Sequence, residues 1–450
     1  MRRVTAVTRP ADASRREGIL APAYLATTIG AFALIAFNAF EELAVTTVMP
    51  TISRSLHGFD LYALSFAAPL ASSVVGMVAA GIWSDRRSPA GPLLTSLGIF
   101  TLGMLACGLA PSMGVFVAGR VVQGLGTGAL IVSLYVVVGL VYPGRLQPAV
   151  FAVFAAAWVL PSLFGPSLAA LVARVAGWRW IFLGVIALVA LAAVLVGPAV
   201  RGLRSRDREH SPDSTRRLAW AALAAAAVLG VELAGSGVLA VLAGAVAVVA
   251  IRPLLPRHTL LGGRGLPAVI GTRGLMSASF FCGQAYVVLA LQDRWGLSPG
   301  RAGLALTVVG VVWASCSQLQ ARLGERLSHT AAMRIGSSML LGASLLLWVT
   351  VWQDWTPWLV GGSFVVAGAG MGLGFPRTSV ATLAASNDDD RGFNSSALSI
   401  GDAIGAALAL SICGLVYTSA TQAGGDPFLA VFGVAIVASV AALTTATRTG

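Results

Sequence analysis

Twelve apolar stretches, each long enough to cross a bilayer, constrain this chain more than any other feature. A membrane-crossing helix needs about 20 mostly apolar residues. Six runs fill the first half, over roughly 22–50, 59–83, 91–110, 113–141, 148–173 and 179–200. Six more cover 267–291, 302–321, 332–352, 357–381, 394–419 and 427–446. Two shorter runs, 218–234 and 237–252, lie between the halves. At 1.5 Å per residue they reach only about 24–26 Å, which suits a thinned bilayer or a shallow hairpin. If both cross, the chain is an all-α polytopic membrane protein with about 14 transmembrane helices; if neither does, there are twelve. Charged residues make up only 11% and hydrophobic ones 57%, against about 25% charged in soluble domains. That excludes a soluble enzyme, a disordered chain and a nucleic-acid binder.

The basic residues, all 30 of them Arg, give the orientation. Twenty-two fall in the termini and one set of loops, among them Arg2, Arg3, Arg86, Arg87, Arg145, six between Arg201 and Arg217, Arg322 and Arg391. Five (Arg54, Arg174, Arg179, Arg294, Arg301) fall in the opposite loops. By the positive-inside rule both termini are cytoplasmic. The run after Ala21 is too long for a signal-peptide core and reads as an uncleaved span. The expected organisation is a tail over 1–20, a six-helix bundle over 21–200, a cytoplasmic linker with two short extra helices over 201–266, a second bundle over 267–446 and a tail over 447–450. The loops leave no room for a catalytic module, so the chain reads as no enzyme. Cys107, Cys282, Cys316 and Cys413 lie in apolar runs and are expected as free thiols. The four histidines never pair at metal spacing, so no metal or other cofactor is expected. Without Lys there is no Gly-x-x-x-x-Gly-Lys nucleotide motif.

An internal repeat accompanies the six-plus-six pattern. Phe116 to Gly126 aligns with Phe364 to Gly374, bringing Gly119, Gly124 and Gly126 opposite Ala367, Gly372 and Gly374. Gly81 to Arg86 aligns with Ala321 to Arg326 at a nearly equal offset. Parallel repeats with a site between them suit alternating-access transport.

Five motifs in order carry a family resemblance. The loop Gly81-x-x-x-Asp85-Arg86-Arg87 resembles the signature between spans 2 and 3 of the major facilitator superfamily. Gly119-Arg120-x-x-Gln123-Gly124-x-Gly126-x-Gly128 resembles its fourth-span motif. Gly165-Pro166 resembles the start of its fifth-span antiporter motif. Ala44 to Pro50 and Trp178 to Phe182 resemble segments of the fourteen-span drug:proton antiporter group. Two segments depart from the pattern: Ser88-Pro89-Ala90 follows the first motif, and Ala169-Ala170 stands where the fifth-span motif ends in a Gly pair. The resemblance implies a multi-pass carrier of a bacterial inner membrane, acting as a monomer. Its partners would be small hydrophobic substrates, protons and lipid, with no nucleotide or nucleic acid. It implies multidrug efflux by proton antiport; the alternatives are a carrier of an endogenous lipid or metabolite, or a proton-coupled uptake symporter. Asp85 and Arg86 would help close the cytoplasmic side.

Ionisable groups at membrane depth are costly and usually functional. Glu41 and Glu42 precede Pro50 by nine and eight residues, and Arg120 follows Pro111 by nine on an antiparallel span. All three lie at similar depth. A carboxylate held between burial and a nearby Arg can load and release a proton; a static ion pair is the other reading. Glu42 is favoured as the coupler because it shares a face with Asn38. Asp402 and Arg377 also share a depth, and an inner-gate pair is expected, with Asp402 as a second proton or substrate site the alternative. Asn38, Gln123, Trp158, Gln284, Tyr286 and Trp313 are candidate cavity residues. Gly124, Gly126, Gly128, Gly165 and Pro166 are read as helix-packing positions.

Overall fold

The computed structural model describes residues 18–86, 90–200, 214–235, 237–387 and 390–450. The first seven helices are α1 (Pro22–Ser55), α2 (Leu64–Arg86), α3 (Ala90–Gly108), α4 (Met113–Val141), α5 (Gln147–Ala156), α6 (Val159–Val175) and α7 (Arg179–Val200). Two follow in the middle, α8 (Ser214–Leu233) and α9 (Val238–Ile251). The rest are α10 (Leu266–Asp293), α11 (Pro299–Leu323), α12 (His329–Trp352), α13 (Pro357–Ala384), α14 (Arg391–Gln422) and α15 (Pro427–Ala446). Eleven segments of the described chain are helical, long and apolar enough to cross a membrane. The protein is a multi-pass membrane protein.

Helix starts follow local chemistry. Ser112, Ser298, Ser328, Thr356 and Asp426 accept first-turn amides of α4, α11, α12, α13 and α15, and Pro fills an early position in five helices. Both devices satisfy or remove amides that the helix leaves unpaired. One expectation changes: the apolar run 148–173 is not a single helix. It breaks at Ala157–Trp158 into α5 and α6. Pro161 explains the break, since its ring collides with the carbonyl four residues back, that of Ala157.

Helices α1–α7 pack among themselves, chiefly α2 and α3 on α4 and α7 on α1, while α10 packs on α14 and α15, and α13 on α11 and α12. These two groups meet along α2 with α14 and along α6 with α11. The crossings are backbone-close because glycine lines them. A Cβ on Gly124 or Gly128 would strike the Pro69 or Ser73 carbonyl of α2, and one on Gly126 would strike the backbone of Phe100 in α3. The repeat predicted from sequence is visible here: Gly372 of α13 sits on the Trp313 carbonyl of α11, as Gly124 sits on α2. Gly165 differs from expectation. A Cβ there meets Phe40 and Leu43 only at 3.6 and 3.8 Å, which is ordinary contact. Instead Gly303 and Gly310 of α11 admit Pro166 and Ser162 of α6.

The end of the molecule where α1 begins and α15 finishes is called the terminal end, and the opposite one the far end. At the far end the groups are tied together. The Tyr62 hydroxyl donates to the Ala285 carbonyl at 2.7 Å, Gln292 Nε2 donates to the Thr47 carbonyl at 3.4 Å, and Arg54 pairs with Asp293. Tyr62, Phe66, Tyr286 and Tyr417 form a connected aromatic cluster beside them. This conformation is closed at the far end.

The middle pair does more than lie on the surface. Arg217, near the start of α8, stacks on Phe393 at the start of α14, and Glu232, near the end of α8, reaches Leu64 at the start of α2. Hence α8 runs the whole height of α2 and α14. Helix α9 returns beside it.

Candidate functional site

Half-way along α1, the polar faces of α1 and α4 meet. Arg120 Nη1 donates to Glu41 Oε1 at 2.5 Å and to Gln123 Oε1 at 2.7 Å, and its Nε donates to the Ser65 carbonyl at 3.0 Å. Both members of the ion pair are only 4% exposed. One turn toward the terminal end Thr127 donates to Asn38 at 3.3 Å. The guanidinium thereby ties α4 to α1 and, through Ser65, to α2. Glu42 is the other carboxylate. It is half-buried, and the charges that act on it are Glu41, Arg120 and, across the interface, Asp402. Its carboxylate accepts no hydrogen bond from a described residue. The shared depth of Glu41, Glu42 and Arg120 is thus realised, with Glu41 taking the direct contact.

A second charge pair lies in α10–α14. Arg273 donates to Asp402 Oδ2 from Nε at 3.3 Å and from Nη2 at 3.0 Å, while Ser277 donates to Oδ1. Arg273 also donates to Thr378 and Ser379 at 3.1 and 3.0 Å, and its guanidinium lies 3.3 Å from the centroid of the Phe375 ring. Phe375 packs against Trp313, and Trp313 against Phe280. A half-buried wall of Arg273, Asp402, Phe375 and Trp313 results.

That arrangement overturns the pairing of Asp402 with Arg377. Arg377 instead donates to the Gln320 side chain at 2.5 Å and to the carbonyls of Gln320 and Gly324 at 2.6 and 2.9 Å. It clamps the end of α11, where free carbonyls and the helix dipole favour a cation. Equal depth did not bring Asp402 to Arg377, because the close crossing of α10 and α14 at Gly274, Gly401 and Gly405 delivers Arg273 first. The difference is measurable. In unfolding experiments in detergent, Arg273→Ala and Asp402→Ala should couple by about 0.5–3 kcal/mol, whereas Arg377→Ala and Asp402→Ala should add within about 0.5 kcal/mol.

The aromatic candidates do not form one cavity. Tyr286 is fully buried in the far-end cluster. Trp158 stands at the α5–α6 break, 40% exposed, and Gln284 is buried on α10. Only Trp313 joins the charged wall. Sequence reading missed Arg273 and Phe375 as site residues; the four-residue separation of Arg273 from Ser277 and the closeness of Phe375 to Thr378 carry no signal until α10 and α13 are docked. Gly81 lies near the end of α2 with open space around it. Asp85 and Arg86 end the same helix, and their side chains, like Arg87, lie outside the described residues. The four cysteines are free.

Comparison with known proteins agrees with this architecture. A sequence model described as Major Facilitator Superfamily matches residues 31–317. A probable multidrug-efflux transporter of Mycobacterium tuberculosis is 28% identical over 434 residues, 90% of this chain and 89% of that protein. A multidrug efflux pump of Staphylococcus aureus is 24% identical over 78% of this chain and 81% of its own. Among solved structures, a POT family transporter superposes with a TM-score of 0.70 at 14% identity, covering 93% of this chain and 95% of that one. A D-xylose-proton symporter reaches 0.66 at 15% identity, covering 94% and 98%. With its helical architecture, its ordered motifs and a match spanning more than half its length, the chain belongs to the major facilitator superfamily of transporters.

Proposed function

We propose that this transporter exports hydrophobic, drug-like compounds in exchange for protons by alternating access. The observation that carries the reading is the mid-height charge site. Glu41 neutralises Arg120, which leaves Glu42 as a half-buried carboxylate that accepts no hydrogen bond from a described residue, with Asp402 among the charges that act on it. Such a group can exchange a proton each cycle, while a fully paired one is held ionised. The relatives named as multidrug efflux proteins support the cargo class.

In this reading all fourteen helical crossings span a bacterial inner membrane, with α5 and α6 together forming one. The Arg distribution and the full-height course of α8 support it. The terminal end then faces the cytoplasm and the far end the outside. The segments 21–200 and 267–446 move as bundles, with 201–266 between them, and one chain is the working unit. With the far end sealed, cargo enters from the cytoplasm and lies between Asn38, Glu42 and Gln123 on one side and Trp313, Phe375 and Asp402 on the other. Aromatic faces suit an apolar body, and the carboxylates suit a cationic head. Cargo binding displaces the proton from Glu42. The bundles then rock, the far end opens, and a proton from outside replaces the cargo. Gly81, Asp85, Arg86 and the Arg377 clamp belong to the inner gate.

The test uses purified protein in liposomes with an entrapped pH dye and a panel of lipophilic cations and neutral drugs. Proton movement opposite to the drug is expected. Folded protein that moves no protons with any drug would redirect the assignment to lipid or metabolite cargo and leave Arg120–Glu41 as a structural tie.

A further inference from the structure

Helix α8 carries a carboxylate with no part in the site above. Glu232 Oε1 accepts the backbone N–H of Leu64, the first residue of α2, at 2.8 Å. Oε2 is fully buried and has no hydrogen-bond partner among the described residues. On its other side the carboxylate abuts α14: a Cβ on Gly414 would lie 2.7 Å from Cδ of Glu232, and 2.8 Å from the side chain of Ala63. One carboxylate therefore touches the intervening helix, the first group and the second group, beside the far-end seal. No cation faces it. Helix α9 has no titratable side chain, and those of α2 lie at its opposite end. From α14 it is faced by Cys413, and from α10 by Tyr286. Both are neutral in ordinary conditions.

We propose that Glu232 is a second proton-binding site, which holds a proton while α2 and α14 close around it and releases it when they part. An ionised carboxylate with a buried, unpartnered oxygen and no counter-charge is far costlier than the neutral acid. Opening of the far end admits water, which solvates the ionised form. By linkage, acid at the far end then favours closure and alkali favours opening. The role of the extra helices follows: α8 places a proton sensor in the seam that the two groups must open. This rests on the alternating-access reading, and adds to it a site separate from Glu42.

The test follows far-end distance against pH in the full chain. Spin labels go on Asp60→Cys and Gln422→Cys, both exposed far-end positions, with the native cysteines replaced by alanine, in lipid nanodiscs. The unsubstituted background should populate the short distance increasingly as pH falls. Glu232→Gln is permanently neutral and keeps an oxygen for Leu64, so it should show the short distance at every pH. Gly414→Ala keeps the acid but crowds it, and should shift the midpoint of closure to lower pH, by about one unit for a tenfold bias. It carries the test if Glu232→Gln does not fold. A pH response that survives in Glu232→Gln, or vanishes only in Glu42→Gln, overturns the proposal, as does an unshifted midpoint in folded Gly414→Ala. Antiport fails on a different readout, since missing drug-driven proton flux in liposomes leaves the distance response standing.

Discussion

Glu42→Gln should abolish drug-driven proton movement and leave the fold intact. Glu42 accepts no hydrogen bond from a described residue, and its neighbour Glu41 already satisfies Arg120. Replacing its carboxylate by an amide of the same shape removes the exchangeable charge and little else, so the thermal midpoint in detergent should stay within a few degrees of wild type, about the effect of 1 kcal/mol or less. Flux measured with the entrapped dye should fall to the protein-free baseline. Glu41→Gln should behave differently, because it strips a buried Arg of its counter-charge and lowers stability along with transport. If both variants exchange drug for protons at normal rates, coupling lies elsewhere in the chain.

The second large effect concerns Arg120 itself. Arg120→Ala should destabilise the protein by about 3–5 kcal/mol, because it leaves Glu41 charged and unpaired in a dry helix interface. It also removes the donor to the Ser65 carbonyl that binds α4 to α2, and the donor to Gln123 within α4. Removing both charges together is the control. Arg120→Met with Glu41→Met fills the space without leaving a lone ion, and should recover most of the loss, since apolar replacements of buried pairs are often neutral or better. Unfolding of the single and double variants in one detergent decides the matter. Equal losses would show that packing, not charge, holds α4 in place.

Much of this architecture can be read from sequence because hydropathy sums over a helix and does not depend on its neighbours. The apolar runs, the two halves and the Gly-rich face of α4 all follow from patterns within single segments. Depth is also legible, since residues on antiparallel spans can be counted from the ends. Azimuth is not. Glu41 and Glu42 lie on either side of the face marked by Asn38, so their spacing does not decide which one meets Arg120; docking of α1 against α4 selects Glu41. Arg377 and Asp402 failed for the same reason, as did the grouping of Tyr286 and Trp158 with Trp313. The break in the fifth run was available from Pro161, but composition averages over one proline in an apolar stretch.

The far-end seal has a thermal and saline consequence. Among the described residues, its one ion pair between the groups, Arg54 with Asp293, is 46% and 31% exposed, and pairs of this kind contribute about 0–1 kcal/mol. The rest is the two hydrogen bonds of Tyr62 and Gln292 to the Ala285 and Thr47 carbonyls and apolar contact around Tyr62, Phe66, Tyr286 and Tyr417; the apolar contact is not screened by added salt and weakens on cooling. The far-end closure therefore owes little to charge that salt could screen and much to apolar contact, so chilling, more than a change of salt, should loosen it.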